Sequence, residues 1–277
     1  MLDTIRPLAR TEAPFRIGMM ELRMADSDCT QTPGSTAQCW WQPYRDTGGI
    51  AVFHVDLTPN RIREANALAW LDKKEQARRN RFVHARPRRE FGLCRAALRA
   101  ILCNRLDCGN DEITFKTSEY GKPFALVHGI PACIHFNISH SGRHGLIALA
   151  STGRIGVDIE ERILRLDLDG EIQTVLTPNE RAELASVAGE QKVHLFFRLW
   201  TMKEALIKAL GTGLSQDMSQ FEIPSVMRHG TDTGVFCFPH MPAVRWKLEN
   251  LDDPRFAAAI AHELDPDVAL QAESVQA

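Results

Sequence analysis

The sequence predicts an α+β fold made of two similar halves that meet near residues 151–155. A strand pattern of Val-Asp followed by an apolar residue occurs twice, at residues 55–57 and 157–159, and each copy precedes helices and then a run of strands. The chain of 277 residues is long enough for two linked cores. This loose repeat favours a pair of α+β halves over a nucleotide-binding βαβ fold.

The first half is expected over residues 49–153, after an N-terminal extension over residues 1–48 that Trp40-Trp41 can pin to the body. Its third helix begins at Arg86-Pro87 and is apolar on most sides, so it should be central to the first core. The first predicted strand lies at residues 50–57. Three predicted helices follow at residues 62–71, 72–81 and from 86 onward, and three further strands at residues 113–115, 134–138 and 145–150.

The second half is expected over residues 154–263, followed by a polar tail over residues 264–277. Thr177, Pro178 and Glu180 form a capping-box pattern that predicts the start of a helix. The longest predicted helix, over residues 192–210, ends at Gly211. The predicted strands of this half lie at residues 155–160, 234–238, 244–248 and 256–260.

Composition excludes several classes of protein. The net charge of −2 predicts no general attraction to nucleic acid. A window of about 18 apolar residues, which a membrane span needs, is missing from the sequence, and the N-terminus lacks the apolar core of a signal peptide. The seven cysteines are odd in number and include no C-x-x-C pair, which favours reduced thiols and a cytoplasmic location.

Two carboxylates alternate with apolar residues in the predicted strand at 155–160. Val157 and Ile159 are expected to face the core while Asp158 and Glu160 share the opposite face, roughly 6.5–7 Å apart. Oxygen ligands at this spacing suit a hard cation such as magnesium. The alternative is an edge strand with a solvated acidic face.

The longest predicted helix carries a further acid and a lysine. Glu204 and Lys208 lie one turn apart, nearly opposite an apolar stripe of Leu199, Met202, Leu206 and Leu210. They form either a surface salt bridge or a third metal ligand beside a cation for a phosphate.

Three segments of the first half offer anion-binding groups. The strand at residues 136–142 ends in a small polar loop with Ser139 and His140, which is either an anion site or a plain turn with an exposed histidine. A basic segment around Arg78 is either a phosphate clamp or a solvated helix face, and Lys122 is a single cation on a stiff turn. Together with the three carboxylates, these groups indicate attack at a diphosphate.

Four motifs in order resemble those of the Sfp-type 4′-phosphopantetheinyl transferases, over roughly residues 50 to 225. These motifs are Tyr120-Gly121-Lys122-Pro123, Phe136-Asn137-Ile138-Ser139-His140-Ser141, Gly156-Val157-Asp158-Ile159-Glu160 and Trp200-Thr201-Met202-Lys203-Glu204-Ala205. The resemblance implies a monomer whose two α+β halves bind coenzyme A at their junction. Two positions depart from the pattern of some relatives, Glu75 in place of a basic residue and Phe91 in place of a polar one.

The resemblance also implies the activity and the site. A serine of an acyl, peptidyl or polyketide carrier protein would attack the phosphorus that bears pantetheine, giving the holo carrier protein and adenosine 3′,5′-bisphosphate. Either Glu204 or Glu180 would take the serine proton. The remaining implied roles are magnesium binding by Asp158, Glu160 and Glu204, phosphate binding by Lys208, and binding of the 3′-phosphate and adenosine by Ser139, His140, Lys122 and Arg78.

Two other functions stay open from the sequence. A magnesium-dependent nuclease or pyrophosphatase would use the same carboxylates on a different phosphate ester. A non-catalytic module that binds carrier proteins would keep the fold with a degenerate site.

Overall fold

A computed structural model describes residues 39–162, 168–213, 216–251 and 253–265. It contains two four-stranded antiparallel sheets, one in each half, together with helices and a small third sheet. The predicted α+β fold of two similar halves is therefore confirmed. In the described part of the chain, every helix is too short or too polar to cross a bilayer.

The first half has strand order β1-β2-β7-β6 in its main sheet and β3-β4-β5 in the small sheet. Helix α3 is its long central helix, with Pro87 in the first turn as predicted. The elements of this half are β1 (Trp41–Thr47), β2 (Ile50–Asp56), α1 (Arg61–Leu68), α2 (Lys73–Asn80), α3 (Ala85–Leu106), β3 (Ile113–Thr117), β4 (Pro123–Val127), β5 (Ile130–Pro131), β6 (His135–Ser141) and β7 (His144–Ala150).

The second half has strand order β8-β11-β10-β9, and its long helix α6 packs against β8, β11 and β10. A 3-10 turn at Met218–Gln220 follows α6. The elements of this half are β8 (Ile155–Glu160), α4 (Leu168–Val175), α5 (Pro178–Ala185), α6 (Gly189–Leu210), α7 (Ser225–Arg228), β9 (Thr233–Phe238), β10 (Met241–Asn250) and β11 (Ala257–Glu263).

The helix ends in the second half follow the local signals in the sequence. Thr177 caps α5, and its hydroxyl and the Glu180 carboxylate form the reciprocal bonds of the predicted capping box. Helix α6 ends where Gly211 adopts the left-handed conformation with φ of 78°. The end at Gly211 limits α6 to residues before 211 and so fixes the position of its last turn, which carries Lys208.

Strand β1 joins the first sheet, although the sequence placed it in the N-terminal extension. It pairs with β2, and its Tyr44 hydroxyl donates to the Leu251 carbonyl of the second half at 3.0 Å. The expected boundary after residue 48 therefore falls in the turn between β1 and β2. Residues 1–38 of the predicted extension and most of the tail after residue 264 lie outside the described residues.

Alternation along the strands builds three apolar cores. Phe53 and its neighbours on one face of the first sheet pack under α3, and Leu248 and others on the second sheet pack under α6. A third core lies between the two sheets, where Val52 meets Val157 and Ile260. The two halves are thus joined by a dry apolar layer.

The edge strands β6 and β8 face each other beside this layer along a line that we call the seam. The two strands belong to different sheets, and side chains connect them. The Val157 main-chain N–H donates to the Asn137 side-chain oxygen at 2.9 Å, and Ser139 and Ser141 bond to residues of β8. The seam is therefore polar, and it carries the acids of β8.

A buried histidine lies at the contact between the halves. His54 is 6% exposed, its ring stacks on Phe256, and its Nε2 lies 2.9 Å from Nδ1 of His144. Burial, followed by the neighbouring His144, lowers the pKa of His54 from 6.5 to about 4. The folded protein therefore keeps His54 neutral in mildly acidic solution.

His54 should make the fold sensitive to acid. Between pH 6.5 and 4 the unfolded chain binds a proton at this position and the folded chain does not, so stability falls as the pH is lowered. We expect a loss of up to about 3 kcal/mol from this residue across that range. Urea unfolding at several pH values should show a flatter profile for His54→Gln. Equal slopes for both proteins would contradict the prediction.

Candidate metal and phosphate site

Asp158 lies at the centre of the site because of the alternation along β8. Val157 and Ile159 enter the core between the sheets, so Asp158 points to the opposite face, as the sequence predicted. Its Oδ1 accepts from the Lys208 ammonium at 2.6 Å and from the Ser139 hydroxyl at 2.9 Å. Both halves of the chain thus contribute to the surroundings of one buried carboxylate.

Helix α6 brings Lys208 and Glu204 to Asp158. The Lys208 ammonium also donates to the Ser139 hydroxyl at 2.8 Å, closing a small ring of hydrogen bonds. Burial, followed by the charge of Asp158, raises the pKa of the partly buried Glu204, and Lys208 opposes that rise. The main partner of Lys208 is therefore Asp158, and not Glu204 as in the predicted surface salt bridge.

Glu160 lies two residues further along the same face of β8. Its Oε2 accepts from the Ser141 hydroxyl at 2.7 Å across the seam. Sequence reasoning did not single out Ser141, although its period-two spacing from Ser139 on β6 was a usable signal. Each of the two serines of β6 thus donates its hydroxyl to one of the two acids of β8.

A metal ion is compatible with these residues, but they do not form a closed cage. Within the described ranges, no group of three or more His, Cys, Asp or Glu side chains is gathered closely enough to hold a metal by itself. Asp158 Oδ2 is nevertheless buried without a hydrogen-bond partner in the described structure. An unpartnered carboxylate oxygen of this kind suits magnesium, which prefers oxygen ligands and fills much of its shell with water and phosphate oxygens.

His140 belongs to β6 and faces Glu90 of α3. Its Nδ1 lies 3.6 Å from Oε2 of Glu90, whose Oε1 accepts from Nε of Arg86 at 2.7 Å. Burial lowers the pKa of His140, the carboxylate of Glu90 raises it, and Lys208 lowers it further. Glu90 was missed from the sequence because it lies 50 positions before His140 and within a run of arginines.

Some arginines of the basic segment bond to main-chain carbonyls of the fold, and others are exposed. Arg88 donates twice to the Phe82 carbonyl, and Arg89 donates to the Leu57 carbonyl at 2.9 Å. Arg78 is exposed, and its guanidinium lies 5.1 Å from the centre of the Phe91 ring. Contact of Arg78 with the adenosine end of coenzyme A stays a prediction.

Lys122 has main-chain partners. Its ammonium donates to the carbonyls of Ile155, Lys208 and Ala209 at 2.8, 2.8 and 3.2 Å. Burial lowers the pKa of this lysine to about 8, although three carbonyl acceptors favour its charged form. In this arrangement Lys122 holds the last turn of α6, which carries Lys208, and its three donors are used there instead of on a phosphate.

Glu180 is placed in the core instead of the cleft. It is fully buried, with Oε1 accepting from the Ile223 N–H at 2.9 Å and Oε2 from the Lys203 ammonium at 2.6 Å. The Thr177 N–H also donates to Oε2. Of the two acids proposed as the proton acceptor, only Glu204 lies beside Asp158.

Gly156 sets the distance between β8 and α6. A Cβ at this position would lie 2.1 Å from the Ala205 carbonyl oxygen and 2.3 Å from the Ala209 nitrogen. These are main-chain atoms of a buried helix and cannot turn aside. A side chain here would push α6 away from β8 and separate Lys208 from Asp158.

Gly156→Ala is therefore expected to lower the free energy of unfolding by about 3 kcal/mol. Gly92→Ala is a matched control, because its added methyl group would meet the flexible end of Arg79 at 3.0 Å instead of main chain. The control should change the stability by less than about 1 kcal/mol. Urea unfolding of both variants checks this, and equal midpoints would contradict the close packing of β8 on α6.

Comparison with known proteins gives a consistent picture. The 4′-phosphopantetheinyl transferase superfamily profile matches residues 154–261, and a profile for the N-terminal part of 4′-phosphopantetheinyl transferases matches residues 57–152. The two matches divide where the halves meet.

Several curated proteins are similar to the chain. It is 36% identical over 174 residues to the 4′-phosphopantetheinyl transferase HetI of Nostoc, covering 63% of this chain and 73% of HetI. Identity is 32% over 153 residues to Sfp of Bacillus subtilis and 36% over 153 residues to gsp of Aneurinibacillus migulanus, each covering 55% of this chain. The matches span 64% of Sfp and 61% of gsp, less than two thirds of either relative.

Proposed function

The chain belongs to the 4′-phosphopantetheinyl transferase superfamily, and we propose that it transfers the phosphopantetheine arm of coenzyme A to a serine of an acyl, peptidyl or polyketide carrier protein. The observation that carries this proposal is the hydrogen-bonded cluster of Asp158, Lys208 and Ser139 at the junction of the halves, with Glu204 close enough for Asp158 to affect its pKa. A diphosphate needs both anionic metal ligands and cations, and this cleft offers both.

The proposed reaction is a displacement at phosphorus. The serine oxygen forms a bond to the phosphorus that bears pantetheine, and the bond from that phosphorus to the bridging oxygen breaks. Adenosine 3′,5′-bisphosphate leaves with the bridging oxygen. Such a step depends on in-line positioning and on neutralised charge more than on a covalent intermediate with the enzyme.

We assign the residues of the site to three tasks. Asp158, Glu160 and Glu204 would hold magnesium, supported by the unpaired buried Oδ2 of Asp158. When bound, the ion neutralises the diphosphate and makes the phosphorus easier to attack. Lys208 would stabilise charge on the phosphate oxygens, since its ammonium already lies in a cluster of oxygen atoms at 2.6–2.8 Å.

Glu204 is the better supported acceptor of the serine proton. Its partly buried carboxylate interacts electrostatically with Asp158 and Lys208, so it belongs to the proposed site. The competing acid, Glu180, has both oxygens engaged in the core. One chain supplies the whole site, because Ser139 comes from the first half and Asp158 from the second, and this supports a monomeric enzyme.

The decisive experiment uses the purified protein, coenzyme A, magnesium and an apo carrier protein. Mass spectrometry should show that the carrier gains one phosphopantetheine group, and that omission of magnesium prevents the gain. Carriers from fatty-acid, polyketide and nonribosomal-peptide synthesis, assayed in parallel, would rank the substrates. Pyrophosphate or DNA cleavage with no modified carrier would contradict the proposal and support another magnesium-dependent phosphoesterase.

A further inference from the structure

Glu90 is a buried acid beside a site that is proposed to bind anions. Its side chain is 8% exposed, and it belongs to α3, whereas the metal-binding acids belong to β8 and α6. Burying a carboxylate lowers the stability of the fold unless the charge is paired. The negative charge of Glu90 would also repel a phosphate bound beside it. A buried Glu90 at this position therefore suggests a function in the site.

The contacts of Glu90 identify that task. Its two oxygens face two different cationic or potentially cationic groups, Nε of Arg86 at 2.7 Å and Nδ1 of His140 at 3.6 Å. Arg86 is mostly exposed, with 60% of its side chain accessible, and the His140 side chain is 41% exposed. In each side chain one nitrogen faces Glu90, and the rest of the guanidinium or imidazole is accessible to solvent.

We propose that Glu90 is a positioning residue, whose buried carboxylate orients the imidazole of His140 and the guanidinium of Arg86 to receive the 3′-phosphate of the substrate. This inference rests on the proposed function for the identity of the anion. With Nδ1 directed at Glu90, the Nε2 atom of His140 is left to donate to a phosphate when the ring is protonated.

Electrostatics around His140 supports the same role. The groups that act on its ring are Glu90 and Arg86 from α3 and Lys208 from α6. Lys208 and Arg86 disfavour a positive charge on the ring, as does burial, and Glu90 is the group that favours it. Loss of the Glu90 charge would therefore remove both the partner of Nδ1 and the carboxylate that favours the protonated ring.

The test measures binding of two nucleotides by calorimetry, which does not require turnover. Adenosine 3′,5′-bisphosphate contains the 3′-phosphate, and adenosine 5′-monophosphate lacks it. Glu90→Gln should weaken binding of the bisphosphate by about tenfold and change binding of the monophosphate by less than about twofold. Glu190→Gln, at the exposed far end of α6, is the matched control and should change neither affinity.

Two further variants separate positioning from a structural effect. His140→Ala should also weaken bisphosphate binding, and adding Glu90→Gln to it should cost less than Glu90→Gln costs alone, because only the contribution through Arg86 then remains. Glu90→Asp keeps the charge and should give an intermediate affinity, which serves if Glu90→Gln does not fold. Weakening of bisphosphate binding on raising the pH should begin at a lower pH in Glu90→Gln than in the wild type.

The outcomes distinguish this inference from the proposed function. If the wild type modifies a carrier but Glu90→Gln binds both nucleotides like the wild type, the positioning role is overturned and the transferase function stands. Equal weakening for both nucleotides would also overturn it. If no carrier is modified but the variant selectively loses the bisphosphate, the anion site stands and the transferase function falls.

Discussion

Replacing Asp158 by asparagine is expected to reduce phosphopantetheine transfer by on the order of a thousandfold, which corresponds to about 4 kcal/mol of transition-state stabilisation. The substitution keeps the size of the side chain but removes its negative charge. That charge accepts hydrogen bonds from Ser139 and Lys208 and would bind the proposed metal ion. The rate of carrier modification at saturating coenzyme A, followed by mass spectrometry, gives the measurement.

The fold should survive this substitution. Asp158 bonds through Oδ1 alone within the described structure, and its Lys208 partner has 29% of its side chain exposed, so water can replace part of the lost interaction. Asp169→Asn is a matched control on a side chain that is 92% exposed, and it should leave the rate unchanged. A fully active Asp158→Asn enzyme would remove the basis of the metal and phosphate assignment.

Replacing Lys203 by methionine is expected to lower the free energy of unfolding by about 3–5 kcal/mol. Its ammonium is fully buried, bonds to Glu180 at 2.6 Å and donates to the carbonyls of Val175, Met218 and Phe221. Methionine would leave the Glu180 charge buried without its partner. Because globular domains are stable by only about 5–15 kcal/mol, this is a large fraction of the total.

Urea unfolding provides the measurement, with Lys192→Met as the matched control on the same helix. Lys192 lies 3.7 Å from the exposed Asp169, and an exposed pair of this kind contributes at most about 1 kcal/mol. The double variant Lys203→Met with Glu180→Gln should recover part of the stability, since it removes the uncompensated charge. A Lys203→Met midpoint equal to that of the control would show that the buried pair is not needed for the fold.

Sequence reasoning succeeded where the determining interactions are local. The alternation along residues 155–160, the cap at Thr177 and the stop at Gly211 each depend on neighbours within a few positions, and all three are present in the structure. The four ordered motifs identified the family, which the comparisons confirm. The face of β8 that carries Asp158 followed from the same local rule.

Sequence reasoning was insufficient where partners are distant in the chain. Strand β1 is an exposed edge with no clear apolar alternation, so its pairing with β2 could not be predicted from its own residues. A motif also does not reveal what its side chains contact. Lys122 donates to carbonyls of α6, and Glu180 pairs with Lys203, although the resemblance implied that Lys122 binds the substrate and that Glu180 could accept the serine proton.

The seam between β6 and β8 has a mechanical consequence. The side chains of Asn137, Ser139 and Ser141 bridge β6 and β8, and the two strands belong to separate sheets. The two halves are therefore able to shear by small amounts without breaking a β-ladder. The apolar layer behind the seam resists opening more than small sliding, because opening would expose its side chains to water. Small movements of one half relative to the other are thus expected to change the distance between Ser139 and Asp158, which lie on opposite sides of the seam.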